Sequence, residues 1–411
     1  MTAQPPPQPQ ARGPLRALVT ARVAERFADE LAVLGIPLVA TVTLAASPLW
    51  IGTIKAGLFL APLLISLPAG LWADRFSPRR IMATAALVRG LALAAIAGVW
   101  ALGWLTERWL LALAVAAGLA ATTYVVVAQA AVPAMMPQGA LGAANARIET
   151  GAHVSSTVAP TLGGVLGRFA AAPLLPLAAA ASTVVTGFAA LKLPEPRRHV
   201  HAAPPRIRDG LAYVVSHPLQ RRILARSAVA NLGMMAIVAM MPVAVIRTMG
   251  FDALALGVLL GVSGVGGIAG AAASPALTRR FGEGGVVVAA SVVGGAAALL
   301  YPVSLALPRG WNIGVLLLAE TVSLAAVTVY SVTGRTLRQQ LCPPDMQGRM
   351  NASMSFAVQG TGPVGAVLGG ALASAAGTPA AFWAGALLIL ASVPLVLLSP
   401  LRGMREVPVE R

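Results

Sequence analysis

The sequence contains very little cysteine, lysine or histidine, and each shortage excludes a class of protein. Cys342 is the single cysteine, so no intrachain disulfide can form and a thiolate metal site is not expected. The two lysines, Lys55 and Lys192, do not follow glycine, which excludes a Walker A phosphate loop. With four histidines and no paired-carboxylate motif, we expect neither an enzyme nor a resident metal or cofactor.

Charged residues are also scarce, whereas apolar residues are abundant. Charged residues make up 11% of the 411-residue chain and apolar residues 57%, and the mean hydropathy is +0.79. This composition is typical of a chain surrounded by lipid. An all-α integral membrane fold is predicted, because twelve apolar runs are long enough to cross a bilayer as helices. They are 25–46, 48–72, 81–102, 109–132, 147–168, 172–193, 223–246, 254–277, 285–307, 312–334, 353–375 and 378–399.

The net charge of +16 is concentrated in alternate loops between these runs. By the positive-inside rule, this pattern places both termini in the cytoplasm. It therefore predicts a role for the charge in membrane topology and no nucleic-acid binding. The first 20 residues, which are rich in Pro and Gln, have no signal-peptide core and are expected to form a disordered cytoplasmic tail.

The chain repeats itself after about half its length. Pro37 matches Pro242 at an offset of 205 (242 − 37), and Asn145 matches Asn351 at an offset of 206 (351 − 145). Parallel repeats in an apolar chain are typical of alternating-access transporters. We therefore expect two pseudo-symmetric six-helix bundles. The expected parts are bundles at 21–193 and 223–400, a cytoplasmic linker with an amphipathic helix at 194–222, and a cytoplasmic tail at 401–411.

The loop between the second and third runs carries the most specific motif. Residues 70–80 read Gly-Leu-Trp-Ala-Asp-Arg-Phe-Ser-Pro-Arg-Arg. This loop resembles the G-x-x-x-D-R-x-G-x-R-R signature of the major facilitator superfamily, with Ser77 at the second glycine. Residues 207–219 resemble the linker of the branch that contains the enterobactin exporter and macrolide-efflux proteins. The resemblance implies a conformational latch formed by Gly70, Asp74, Arg75, Arg79 and Arg80.

A carboxylate such as Asp74 can accept hydrogen bonds from the free amides at a helix N-terminus. The resemblance implies that this helix begins near 351–353, with Asp345 as a candidate partner for the arginines. The alternative is that these residues are solvated charges that set the topology.

A second motif lies in the fifth run, where Ala159 to Gly164 resemble the G-P-x-x-G-G motif of superfamily antiporters. The residues that match are Pro160, Gly163 and Gly164, and the resemblance implies export. Small residues also allow close helix packing. The run Gly264 to Ala269 mimics a dinucleotide fingerprint but lies inside an apolar span, which predicts helix packing there.

Glu320 is the most unusual ionisable residue, since it lies within the tenth apolar run. Charged groups in hydrocarbon are costly unless they face a cavity or a partner. Ser323, Ser331, Gly334 and Arg338 share its helix face, which predicts a cavity wall. Glu320 is therefore a candidate proton or substrate site, and a structural hydrogen bond to a neighbouring helix is the alternative.

Asp29 and Glu30 lie near the start of the first run, with Arg26 three and four residues before them. This spacing favours local ion pairs. Proton or cation binding is the alternative.

Three further candidates lie in other runs. Glu149 and His153 are four residues apart, which suits a structural pair or a proton relay. Lys55 can extend its ammonium group towards the membrane surface, bind an anionic substrate group or pair with an acid; the sequence does not choose.

The sequence thus predicts a monomeric secondary transporter in a bacterial inner membrane, with the lipid bilayer, protons and a small molecule as its partners. The preferred function, which the family resemblance implies, is multidrug-type antiport, in which protons drive efflux of a hydrophobic or amphipathic drug, macrolide or siderophore. An importer or uniporter of the same fold is one alternative, and a non-transporting sensor or scaffold is the other.

Overall fold

The computed structural model describes residues 9–135, 141–194, 207–343 and 346–403. In these ranges the chain is almost entirely helical and has no strand. The α-helices described are α1 (Pro9–Leu38), α2 (Pro48–Arg75), α3 (Pro78–Ala101), α4 (Glu107–Met135), α5 (Leu141–Phe169), α6 (Leu174–Leu191), α7 (Ile207–Ser216), α8 (Pro218–Pro242), α9 (Ala253–Ala298), α10 (Leu300–Ala306), α11 (Trp311–Gln340), α12 (Gln347–Ala376), α13 (Thr378–Ser392) and α14 (Pro394–Leu397).

Nine helical stretches in the described ranges are long and apolar enough to cross a membrane. The longest, Ala253–Ala306, bends at Gly282 and supplies two of the expected spans. The helices α1 and α5, which correspond to the first and fifth apolar runs, are not among the nine. When that stretch is counted twice and these two helices are added, the structure has the twelve spans that the sequence predicts.

The helices pack as two units. The N-terminal unit comprises Met1–Ala45 and Leu60–Ala202, and the C-terminal unit comprises Ala46–Phe59 and Ala203–Arg411. In the N-terminal unit, α1 packs on α5 and α6, and α3 packs on α4 and α6. In the C-terminal unit, α8 packs on α12 and α13, and α9 packs on α11 and α13. The same packing scheme therefore occurs in both units, as expected for a repeat.

The first helix of each unit ends in the same unusual way. A π-helical segment, Val39–Thr43, follows α1, and another, Val243–Thr248, follows α8. The first residues of the two segments are 204 apart (243 − 39), within one residue of the sequence repeat. Wider π-helical turns of this kind are rare and often mark functional sites.

The N-terminal end of the first helix differs from the expected one. Residues 9–20, expected to be part of a disordered tail, form the start of α1. Leu15 and Leu18 are buried against residues of α3 and α4, which holds this segment on the N-terminal unit. The linker helix α7 ends at Ser216, and α8 begins at Pro218, before the expected start of the second bundle at 223. His217 caps α8 by accepting a hydrogen bond from the backbone N–H of Gln220 at 3.4 Å.

The boundary of the N-terminal bundle also differs from the expected 21–193, since Ala46–Phe59 belongs to the C-terminal unit. The reason is a close contact between two helices that carry glycine. Gly52 of α2 lies against the backbone of Ala366 and Gly370 in α12. The Ser374 hydroxyl accepts a hydrogen bond from the Leu49 backbone N–H at 2.9 Å, which caps the start of α2.

The turn that follows α2 differs from its counterpart in the repeat. Ser77 has φ −65° and ψ 117°, an extended conformation that any residue adopts, so serine is accommodated there without strain. The matching position, 205 residues later (282 − 77), is Gly282 with φ +74°. Only the second turn therefore needs glycine.

Candidate functional site

A charge network centred on a buried arginine joins α1 to α3 in the N-terminal unit, and a neighbouring hydrogen bond joins α1 to α5. Arg89 of α3 is 4% exposed and donates to two carboxylates of α1, Glu25 at 3.1 Å and Asp29 at 2.9 Å. A guanidinium group suits this role because it is planar and presents several donors at fixed angles. Ser155 of α5 adds a hydrogen bond to the Val23 carbonyl at 3.1 Å.

Local ion pairs within α1 complete the network. Arg26 pairs with Asp29 at 3.3 Å and with Glu30 at 2.6 Å, as the spacing predicts. Arg22 pairs with Glu25 at 2.8 Å. Because these carboxylates already have cationic partners, the arrangement suits structural cross-bracing. Arg89 is not among the residues predicted from the sequence; its signal is a lone cation inside the third apolar run.

The C-terminal unit contains a cavity of about 320 Å³ between α8, α9, α11 and α12. Ser323, Ser331, Gly334 and Arg338 line it, so the polar stripe predicted along α11 is a cavity wall. The wall is strongly cationic, because Arg226 and Arg335 line it as well, in addition to Arg338. Among the described residues that line the cavity, none is acidic.

Arg226 of α8 is held in a fixed position at this wall. It is 5% exposed, and its guanidinium carbon lies 3.8 Å from the centre of the Tyr330 ring. The Tyr330 hydroxyl is within 3.0 Å of the Ser227 hydroxyl, which fixes the ring in turn. Stacking of this kind stabilises a guanidinium but satisfies none of its N–H donors. The Nε atoms of Arg226 and Arg338 are buried without a hydrogen-bond partner.

The cavity occupies the place that the charge network has in the other unit. At the offset of 205, Glu25, Asp29 and Arg89 correspond to residues 230 (25 + 205), 234 and 294. These positions hold Ala230, Met234 and Gly294, and all three line the cavity. At the offset of 206, Tyr124 corresponds to Tyr330 (124 + 206). The repeat therefore keeps a buried tyrosine in both units and replaces the network with small or apolar residues in one.

Glu320 lies next to the cavity, beyond its described lining. Its carboxyl group is within interaction range of the Tyr301 hydroxyl, which also faces the Ser323 hydroxyl. Neither hydroxyl has a partner with full hydrogen-bond geometry, and Tyr301 and Ser323 are 0% and 2% exposed. Ser323 belongs both to this cluster and to the cavity wall, and so connects the two.

The remaining candidates are dispersed. Lys55 is 4% exposed, so it does not reach the surface, and its ammonium lies 5.5 Å from the centre of the Phe59 ring. Glu149 and His153 are both exposed, and no described side chain forms an ion pair with either. The expected pair on α5 is therefore not formed.

The latch residues are described only in part. Gly70 and Asp74 lie in α2, but the surroundings of these two residues are not described. Asp345 lies outside the described residues. Arg75 and Arg80 are exposed, and Arg79 is partly exposed. The latch remains a prediction.

The antiporter-like motif of α5 lies at a helix contact. Pro160, Gly163 and Gly164 are buried. A Cβ at Gly163 would lie 2.9 Å or less from leucine side chains of α1, so glycine allows the close approach of the two helices. The glycine run of α9 acts in the same way, since a Cβ at Gly266 would overlap the Thr321 carbonyl oxygen of α11. That run packs helices, as predicted.

An apolar groove in the N-terminal unit offers almost no polar surface for catalysis or binding. A groove of about 670 Å³ between α3 and α6 is almost wholly apolar, which suits contact with lipid chains. Among the described residues, no cluster of histidine, cysteine, aspartate and glutamate could hold a metal ion.

Comparison with known proteins agrees with this architecture. The solved structures similar to this one include the nucleoside transporter NupG, with a TM-score of 0.77 and 14% identity over 93% of this chain and 97% of that one. A bacterial homologue of the iron transporter ferroportin, in its inward-facing state, has a TM-score of 0.75 and 16% identity over 93% and 98% of the two chains. At these identities the likeness shows the fold alone.

A bacterial homologue of the lysosomal transporter Spinster is also similar, with a TM-score of 0.72 and 17% identity over 96% of each chain. No curated protein matches the sequence closely enough to count as a relative. The family profile named Major Facilitator Superfamily matches residues 18–366, which is most of the chain. This protein is a multi-pass membrane protein that belongs to the Major Facilitator Superfamily.

Proposed function

We propose that this protein is a proton-coupled exporter of amphipathic small molecules in a bacterial inner membrane, with both termini in the cytoplasm. The observation that carries the proposal is the connection between the cavity and the cluster that Glu320 forms with the buried Tyr301 and Ser323. A transporter of this type needs a group that binds a proton close enough to the substrate site for one to affect the other. Glu320 is the carboxylate beside the cavity, and Ser323 links them.

Proton binding at Glu320 would change the hydrogen bonds at the cavity wall. A deprotonated carboxylate only accepts hydrogen bonds, so it orients the Tyr301 hydroxyl as a donor towards itself. A protonated carboxyl can donate, which frees that hydroxyl to turn towards Ser323. Because Ser323 lines the cavity, the wall then presents a different donor and acceptor pattern to a bound substrate. Proton and substrate would thereby alternate.

Export is favoured over import by the antiporter-like motif of α5, whose matching residues Pro160, Gly163 and Gly164 are buried at a helix contact. Asp29, Glu30, Glu149 and His153 are weaker proton-site candidates. The first two are paired with Arg26, and the last two are exposed. Asp74 and its arginines keep their proposed role as a latch between conformations.

The test is proton movement driven by a substrate gradient. Purified protein is placed in proteoliposomes that contain a pH-sensitive dye, and dyes, macrolides and siderophores are applied as gradients. We expect a substrate-dependent change of internal pH that Glu320→Gln abolishes. Glu283→Gln is the matched control, because Glu283 is a carboxylate of the same unit that does not belong to the Glu320 cluster. It accepts a hydrogen bond from the Gln340 side-chain amide at 3.0 Å. Substrate flux without a change of pH would overturn proton coupling and favour a uniporter.

A further inference from the structure

The cavity of the C-terminal unit carries an unusual charge. Arg226, Arg335 and Arg338 line it, and the described lining residues include no acid to offset them. Arg335 and Arg338 are three residues apart on α11, so both project from one helix face. Arg226 projects from α8 on the other side. The described wall thus brings three positive charges around a space of about 320 Å³.

A guanidinium at 5% exposure normally has an anionic partner, because removing a charge from water is costly unless the charge is paired. Among the described residues, no carboxylate pairs with Arg226 or Arg338. Each has an Nε atom that is buried without a hydrogen-bond partner. The Nε atom of Arg89 is also without a hydrogen-bond partner, but its terminal nitrogens bond to two carboxylates within 3.1 Å, and this pairing is what Arg226 and Arg338 lack among the described residues. The partner expected for Arg226 is therefore an anion that enters the cavity.

The rest of the wall indicates what such an anion is attached to. Ile223, Met234, Val327, Met354 and Ile389 give one part of the cavity an apolar surface. Methionine side chains adapt to ligands of different shape. A volume of about 320 Å³ is within the range of sites that hold small organic molecules. An apolar body with a single anionic group matches both parts of the wall.

We propose that this cavity binds amphipathic organic anions, with a carboxylate or phosphate group held by Arg226 and Arg338 and the apolar body against the methionines. A guanidinium forms two parallel hydrogen bonds with either group. The claim that the bound anion is also transported rests on the proposed function. The claim that the cavity binds an anion does not. Such an anion can come from a solute or from the headgroup of a membrane phospholipid.

Binding is measured by isothermal titration calorimetry with the full-length protein in phosphatidylcholine nanodiscs. The probes are naphthoate, naphthyl phosphate and the neutral isostere naphthamide. The variants are Arg226→Gln, Arg226→Lys and Arg338→Gln. Arg221→Gln is the control, because Arg221 is an exposed arginine on the same helix.

We expect naphthoate and naphthyl phosphate to bind at least tenfold more tightly than naphthamide. Loss of one charge-assisted pair should weaken their binding about ten- to a hundredfold in Arg226→Gln and Arg338→Gln. Arg221→Gln should leave it unchanged, and Arg226→Lys should give an intermediate value. Equal binding of naphthoate and naphthamide, or equal binding by the Arg226→Gln and Arg221→Gln proteins, would overturn the proposal. If Arg226→Gln does not fold, Arg338→Gln decides.

A second set of nanodiscs contains phosphatidylglycerol and identifies the source of the anion. Weaker naphthoate binding as this lipid increases would show that its headgroup enters the same site, whereas constant binding would indicate a solute site. Both results retain an anion site. Because no step requires transport, naphthoate binding without any proton movement would overturn the proposed function and leave the anion site in place.

Discussion

The two units of this protein use the same place in their repeated fold in opposite ways. In the N-terminal unit, Arg89 joins Glu25 and Asp29 in a buried ion-pair network. In the C-terminal unit, Gly294 and Ala230 occupy the positions of Arg89 and Glu25, and a cavity with an arginine-rich wall takes the place of the network. One half is therefore cross-braced by its own charges, and the other has charges that its described residues leave unpaired.

The comparison shows how a duplicated fold can divide its roles. A network with matched charges is rigid and costly to break, because removing one partner leaves the other buried and uncompensated. We expect a cavity whose wall carries arginines and no described acid to select anions. Small residues at the former network positions provide the space. The N-terminal unit then serves as the braced half and the C-terminal unit as the ligand-binding half.

The largest expected effect concerns the network. Arg89→Ala would leave Glu25 buried without its partner from α3, and the free energy of unfolding should fall by about 3–5 kcal/mol. The midpoint of thermal unfolding in detergent measures this, with Arg80→Ala, an exposed arginine of the same helix, as the control. Equal midpoints for the two variants would show that the network does not brace the unit.

A smaller effect is expected where α9 and α11 pack behind the cavity. Gly266→Ala places a Cβ against the Thr321 carbonyl oxygen and should cost about 1–3 kcal/mol of stability. The corresponding residue of the first half is Ala61 (61 + 205), so the repeat accommodates a Cβ at this position there. Gly314→Ala meets no atom within 4 Å and is the control. An unchanged unfolding midpoint in Gly266→Ala would contradict the packing.

One substitution can give the C-terminal cavity an ion pair like that of the N-terminal unit. Ala230→Glu restores in the cavity the carboxylate that Glu25 supplies in the other unit, four residues from Arg226 on the same helix. An ion pair at this spacing should occupy Arg226 and weaken naphthoate binding about tenfold or more. Ala230→Gln, with the same shape and no charge, is the control in the same titration. Equal loss in both variants would mean that bulk, and not charge, governs the cavity.

The smallest expected effect concerns the turns after α2 and within α9. Gly282→Ala must place a Cβ at φ +74° and should lose about 1 kcal/mol of stability. Gly285→Ala, in ordinary contact with the Phe281 side chain, should be neutral or slightly stabilising. Chemical unfolding in urea compares the two. A tolerated Gly282→Ala would mean that the two turns do not differ in their need for glycine.

The sequence predicted the helical class, the twelve spans and the repeat, because long apolar runs and fixed offsets are properties of the chain itself. It also predicted the cavity wall along α11, because the helical period places Ser323, Ser331 and Gly334 on one face. Arg89 and Arg226 were missed because their partners lie on other helices, and only packing brings Arg89 to Asp29 or Arg226 to Tyr330.

The most direct test of the account is the internal pH of proteoliposomes under a naphthoate gradient, measured for the wild-type, Arg226→Gln, Arg221→Gln and Glu320→Gln proteins. The account predicts a pH change above that of protein-free liposomes, which neutral naphthoic acid crosses unaided, with the wild-type and Arg221→Gln proteins, and no such excess with the other two. It further predicts that the Glu320→Gln protein still binds naphthoate. An equal pH change in the Arg226→Gln and Arg221→Gln proteins would contradict the claim that the cavity of the C-terminal unit carries the substrate.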